Sequence, residues 1–123
     1  VAADVLLDET DPPPFRVVGA RGRSPFILTC DHAGRALPKR LGDLGVEPSE
    51  LTRHIAWDIG AAGLSRALSK RLDAVLIEQT YSRLVIDVNR PPGSPDSIVT
   101  LSEHTAIPGN VGLGVEAAQR REL

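Results

Sequence analysis

Methionine is absent from the 123-residue sequence, cysteine occurs once, and aromatic residues make up only 3%. A single Cys excludes an intrachain disulfide framework, and a reducing, cytoplasmic setting is the default. Scarce aromatics leave Leu, Val, Ile and Ala to fill the core. No run of about 18 apolar residues occurs, so no membrane span is expected. The start, VAADVLLDETD, lacks a basic head and a long apolar stretch and does not read as a secretory signal. Neither sign of charge dominates: Lys plus Arg is 14, Asp plus Glu is 16, and the net charge is -2. A broad phosphate-binding face is normally basic, so no nucleic-acid partner is expected. At 41% hydrophobic and 24% charged, the composition is that of an ordinary globular chain, not a disordered tail, a collagen-like rod or a low-complexity linker. The length suits one small domain. The first residue is Val1 rather than Met, which reads as a trimmed end.

Residues 1–14 read as an extended lead-in, because Pro12, Pro13 and Pro14 can neither continue a helix nor pair in a central strand. Residues 15–18 form a short strand candidate. Residues 25–30, PFILTC, are a continuous apolar run, the pattern of a strand buried on both faces. That run ends in the polar pair Asp31-His32, the position where open α/β sheets place their chemistry. Gly34, Pro38, Gly42, Gly45 and Pro48 break up residues 33–49, with room for a helical turn over 38–41. Ser49 reads as an N-cap with Glu50 in the first turn. From there to Leu72 the spacing predicts one long helix, bent near Trp57–Gly60. Leu51, Ile55, Ile59, Ala62, Leu64, Leu68 and Leu72 follow one face, and Gly60 and Gly63 would permit close packing on a sheet. Residues 73–80 and 84–88 are two further strand candidates, so strand, helix, strand suggests a parallel βαβ unit. Residues 91–112 read as irregular, and a helix begins near 113 and is still running at Leu123.

Several side chains invite chemistry. His32 is either a loop histidine bonded to a carbonyl, or a metal ligand or general base aimed by a rigid strand, with Asp31 orienting its ring. His54 and Asp58, four apart on the predicted helix, share a face. They form either a local helix pair, or Asp58 is a carboxylate on an apolar surface that needs a metal or an arginine as partner. Asp87 lies inside an apolar strand candidate and is either paired with an arginine for structure or part of a site. Arg83 and Arg90 would stand roughly 20 Å apart if the segment were extended. Asn89 and Arg90 suit a substrate carboxylate, since the guanidinium fork matches it and Asn adds a neutral donor. Glu103, His104 and Asn110 lie in a loop segment of the kind that carries binding groups. Arg120 and Arg121 read as a solvated helix end, and Cys30 as a buried, inert thiol.

Taken together and in order, CDHAGRALP, HIAWDIGA, YSRLVIDVNRP and IPGN resemble the N-formylglutamate amidohydrolases across residues 24–123. The resemblance implies an α/β fold with a mixed, mainly parallel sheet flanked by helices. It would be zinc-exopeptidase-like, a phosphorylase/hydrolase-like architecture related to metallocarboxypeptidases and succinylglutamate desuccinylase. It implies a Zn2+ cofactor and hydrolysis of N-formyl-L-glutamate, or a related N-acyl amino acid, to formate and L-glutamate. Those relatives carry an Asp-Leu-Asn-Arg type motif that holds the substrate carboxylate, read here as Asp87-Val88-Asn89-Arg90, with Arg83 and Asn110 as further substrate-binding candidates. Carboxypeptidase relatives take two zinc ligands from His-x-x-Glu. Here Arg35 stands three residues after His32, so the metal candidates are His32 and, by its place in HIAWDIGA, Asp58. A later His-Ser-Phe-type motif is missing, and with it a further ligand and the general base. The expectation is therefore the N-terminal part of a single domain, inactive alone, with a sheet edge open to self-association. The alternatives are a zinc amidase or deacylase for another N-blocked amino acid, or a non-catalytic binding fragment.

Overall fold

A computed structural model describes residues 5–122. The first four residues of the expected lead-in and Leu123 lie outside the described residues. The chain runs β1 (Phe15–Val18), β2 (Ile27–Cys30), α1 (Ala61–Leu72), β3 (Val75–Gln79), β4 (Leu101–Ser102), β5 (Thr105–Ala106) and α2 (Val115–Gln119). Single turns of 3-10 helix occur at 39–41, 50–52 and 108–110. No described helix is long and apolar enough to cross a membrane.

The main sheet has the order β1-β3-β2. β2 lies parallel to β3, with Cys30 beside Glu78, and β1 lies antiparallel, with Arg16 beside Glu78. The sheet is thus mixed as expected, but parallel pairing is not its main mode. β2 and β3 are joined through α1, the right length of connection for a parallel pair. α1 packs on one face of the sheet, enclosing Cys30, Ala33 and Leu76 with Val18, Leu28, Ala61 and Ala62 around them. At the edge of that layer the carboxylate of Glu78 is buried between two arginines. Arg66 Nε donates to Oε1 at 2.6 Å and Arg16 Nη2 to Oε2 at 2.9 Å.

Three expectations need correcting. β2 is not buried on both faces: it is an edge strand, and Phe26 and Ile27 are 68% and 66% exposed. The long helix from residue 50 does not form. Its first half is a 3-10 turn and bends, because Asp58 N–H is drawn to the His32 carbonyl at 3.0 Å and Gly60 takes φ +86°. A positive φ cannot be continued helix, so α1 starts only after it. Leu64, Leu68 and Leu72 therefore form an outward stripe rather than part of one core-facing surface. Neither Gly60 nor Gly63 lies against the sheet. The close approach is at Gly34, where a Cβ would run into the Thr80 carbonyl. Residues 84–88 form no strand. Leu84, Val85, Ile86 and Asp87 are buried all the same, whereas Val88 is exposed; Val85 N–H goes to Ser82 O and Asp87 N–H to Ser97 O at 2.7 Å.

That irregular run belongs to a second core of Leu44, Val46, Ala56, Tyr81, Leu84, Val85, Ile86 and Ile107. Two ties between segments distant in sequence hold it: Ser82 Oγ donates to Ala56 O at 2.7 Å, and Tyr81 Oη donates to Pro12 O at 2.5 Å. The buried run of Leu84, Val85 and Ile86 just before Asp87, with the Asp87 N–H bond to Ser97 O, carries this acid inward.

Candidate functional site

Three chain segments meet at the carboxyl end of β2. His32 follows the strand by two residues and is 8% exposed. Asp58 precedes α1, and Asp87 is carried in by the buried run. His32 Nδ1 is 3.1 Å from Asp58 Oδ2, and Nε2 is 2.6 Å from Asp87 Oδ1. The ring is therefore held at both nitrogens. Asp87, not Asp31, is the acid that orients it. Asp87 Oδ1 also accepts the Asn89 N–H at 3.0 Å. Burial pushes the Asp87 carboxyl up, but the His32 bond, the Asn89 N–H and the nearby Arg83 charge outweigh it and hold it below the usual carboxylate value.

Arg83 closes the ring of contacts. Its Nη1 donates to Asp58 Oδ1 at 3.2 Å and its Nη2 to Asp87 Oδ2 at 2.9 Å. The fold thus brings Arg83 and Arg90 to the same acid rather than to opposite ends of a strand. With both terminal nitrogens taken by the two aspartates, Arg83 is a tie between them and not a free substrate ligand. Arg90 is different. Its Nε lies 4.0 Å from Asp87 Oδ2 and 3.3 Å from Asp96 Oδ2, and its side chain is 45% exposed. Asn89 is exposed beside it. With His32 neutral, Asp58, Asp87 and Asp96 against Arg83 and Arg90 leave one negative charge in the cluster. A cavity of about 110 Å³ adjoins it, walled by Ile55, Arg83, Asp87, Arg90, Asp96 and Ser102. Roomier cavities of about 310 and 340 Å³ lie elsewhere, one under Leu6, Tyr81 and Ile86, the other beside Arg16 and Arg66.

The remaining candidates fall outside this cluster. His54 and Asp58 share no helical face: His54 Nε2 pairs with Glu103 Oε1 at 2.7 Å, where Arg53 also bonds Glu103 at 2.8 Å. That contact clips the 50–56 segment to the β4–β5 hairpin and leaves His104 exposed. Asn110 is engaged inside the fold rather than at the His32 cluster. It is 3% exposed, its Nδ2 donates to Leu84 O and Val99 O at 2.8 Å, and its Oδ1 accepts from Arg121 Nη1 at 2.6 Å. Arg121, read as solvated, is buried and also donates to Val85 O at 2.9 Å. Arg35 stacks over Trp57, 5.2 Å from the ring centre. Cys30 is buried and free.

The donor set partly fits a zinc ion. Two ligands at about 2.0 Å in tetrahedral geometry lie roughly 3.3 Å apart, and Nδ1 of His32 and Oδ2 of Asp58 are 3.1 Å apart. The Asp87 bond on the far nitrogen is the carboxylate support that metal-bound histidines normally have. No group of three metal-ligating side chains occurs among the described residues. The site therefore offers two corners of a coordination sphere.

A histidine steadied by a buried aspartate faces a second carboxylate, with an arginine nearby, at the end of a strand in an α/β sheet, the position where such sheets carry their sites. The chain belongs to the N-formylglutamate amidohydrolase family, whose model matches residues 24–123. It is also similar to a solved structure, the gene product Atu2144 from Agrobacterium tumefaciens, at 37% identity and a TM-score of 0.91. The match covers 94% of this chain and 46% of that one, so the chain spans just under half the length of that relative. No curated protein matches it.

Proposed function

We propose that the protein hydrolyses the amide bond of N-formyl-L-glutamate or a close N-acyl amino acid, giving formate and the free amino acid, with this chain as the N-terminal part of the catalytic domain. The observation behind this reading is His32 held between Asp58 and Asp87 in a chain of this family. His32 Nδ1 and Asp58 Oδ2 would hold a zinc ion. Bound there, zinc supplies Lewis-acid polarisation of the acyl carbonyl and a water acidic enough to attack at neutral pH.

The chain's own groups prepare that step. Asp87 fixes the proton of His32 on Nε2 and leaves Nδ1 as the donor atom facing Asp58. Arg83 bonds both aspartates and ties them together. Arg90, half exposed and close to the cluster, takes the substrate's carboxylate with Asn89 beside it. Water adds to the formyl carbon, the C–N bond breaks, and the amine leaves with a proton delivered by a general acid outside this cluster.

The test is a panel of N-acyl amino acids assayed for formate and amine release, with metal content measured in parallel. Formate released from N-formyl-L-glutamate at one bound zinc per protein is the expected result. Turnover of bulkier acyl groups with none of formyl would move the assignment to another N-blocked amino acid. Absence of both metal and turnover would leave a non-catalytic domain.

A further inference from the structure

We propose that Asp96 is a built-in competitor for the substrate's carboxylate at Arg90. The proposal rests on the reading of Arg90 as the carboxylate clamp. Asp96 Oδ2 sits 3.3 Å from Arg90 Nε, and its other oxygen, Oδ1, accepts the Ser94 hydroxyl at 2.8 Å. A carboxylate is thus already ion-paired with this guanidinium and steadied by a neutral hydroxyl donor. Both Arg90 and Asp96 wall the small cavity of about 110 Å³ that adjoins His32's partner Asp87.

The segment is built to present this group. Asp87 N–H bonds Ser97 O at 2.7 Å, and Ser97 N–H bonds Ser94 O at 3.1 Å. Ser97 is buried, so the residue before it is carried to the site by the same backbone tie that positions Asp87. The two arginines then divide their work by exposure. Arg83 is committed at both terminal nitrogens, one of them to an aspartate 7% exposed. Arg90 and Asp96 are 45% and 60% exposed, and the terminal nitrogens of Arg90 make no hydrogen bond among the described residues. An exposed pair of this kind is weak and readily opened. A substrate carboxylate arriving at the terminal nitrogens meets the Asp96 charge across the same guanidinium. It must push Asp96 aside or bind against it. Asp96 therefore lowers affinity for anionic ligands and leaves neutral ones alone.

The experiment measures binding of N-formyl-L-glutamate and of its uncharged diamide to chelator-treated full-length protein by calorimetry, so that no turnover intervenes. Asp96→Asn should tighten the diacid about two- to fivefold and leave the diamide unchanged, with the gain shrinking in 1 M salt. Asp96→Ser should do the same if the amide of Asn disturbs the loop. Arg90→Ala is the control for the underlying reading. Weaker diacid binding in Arg90→Ala, with no gain or a loss in both Asp96 variants, overturns the competitor role and leaves the clamp standing. Unchanged binding in Arg90→Ala overturns the clamp itself.

Discussion

Replacing Asp87 with Asn tests the centre of the cluster. The side chain keeps its size but loses its charge, and an NH2 group takes the place of one oxygen. In the wild-type chain the carboxylate accepts from His32 Nε2 at 2.6 Å, Arg83 Nη2 at 2.9 Å and the Asn89 N–H at 3.0 Å, at 6% exposure. Asn retains one acceptor oxygen, enough for the Asn89 amide and the ring, and turns a donor toward Arg83. Losing a charge-assisted bond costs about 1.5–3 kcal/mol, and the buried donor–donor clash adds to that. The expected destabilisation is about 2–4 kcal/mol, or a Tm lower by roughly 10 °C. The pH dependence supplies a second readout. The Asp87 carboxyl is held below its ordinary value of 3.8 in the folded chain. A depressed acid contributes stability above the unfolded value and loses it as pH falls through the folded one. Wild type should therefore lose part of its stability below about pH 4, and Asp87→Asn should lack that component. Urea unfolding followed by circular dichroism from pH 2.5 to 7 measures both. Equal stability at pH 7 with parallel acid limbs would refute the claim that this carboxylate holds the site together.

In the complete enzyme Arg90→Ala should lower kcat/KM by about 10- to 100-fold through KM, with only partial recovery in Arg90→Lys, because a point charge does not copy the fork. Unchanged kinetics with lower stability would make Arg90 a structural partner of Asp87. Asn110→Ala should cost about 2–4 kcal/mol by removing one of Arg121's acceptors and the donor to two carbonyls, while KM stays as it is; a rise in KM without loss of stability would return Asn110 to the substrate. Gly34→Ala should abolish soluble folded protein, since its Cβ meets backbone at Thr80 and not a movable side chain. A Tm within 2–3 °C of wild type would show that this approach relaxes.

The sequence shows β1 and β3 clearly, because each is a short apolar stretch flanked by turn formers, and both appear at nearly the expected bounds. It does not show which side of β2 is wet. PFILTC reads the same whether its neighbour is water or another strand. LVIDV reads as a strand by side-chain pattern, yet the Val85 amide turns back onto Ser82 three residues earlier and the Asp87 amide goes to Ser97, a partner set by tertiary packing that no local pattern encodes. His32 and Asp58 are legible as candidates, one at a strand end and one in a polar break of an apolar stretch. The bond from Asp87 to His32, 55 residues apart, is not. Asn110 and Arg121 mislead for a related reason. Asn110 lies in loop-like sequence and Arg121 reads as a solvated helix end, and only the fold reveals that they bond each other.

The uncovered leucine stripe of α1 and the open edge of β2 carry a calorimetric consequence. The chain exposes 7895 Å², whereas a compact protein of 13.1 kDa exposes roughly 6,400 Å² by the usual size scaling. About 1,500 Å² thus stays hydrated that a domain of this mass would normally bury, with Phe26, Ile27, Leu64 and Leu72 each about half exposed or more. Each 1,000 Å² of apolar surface left wet removes about 0.45 kcal/mol/K from the heat capacity of unfolding. Residues 1–123 by themselves should therefore unfold with a smaller heat-capacity step and a shallower denaturant slope than their length implies. Their stability should change little with temperature.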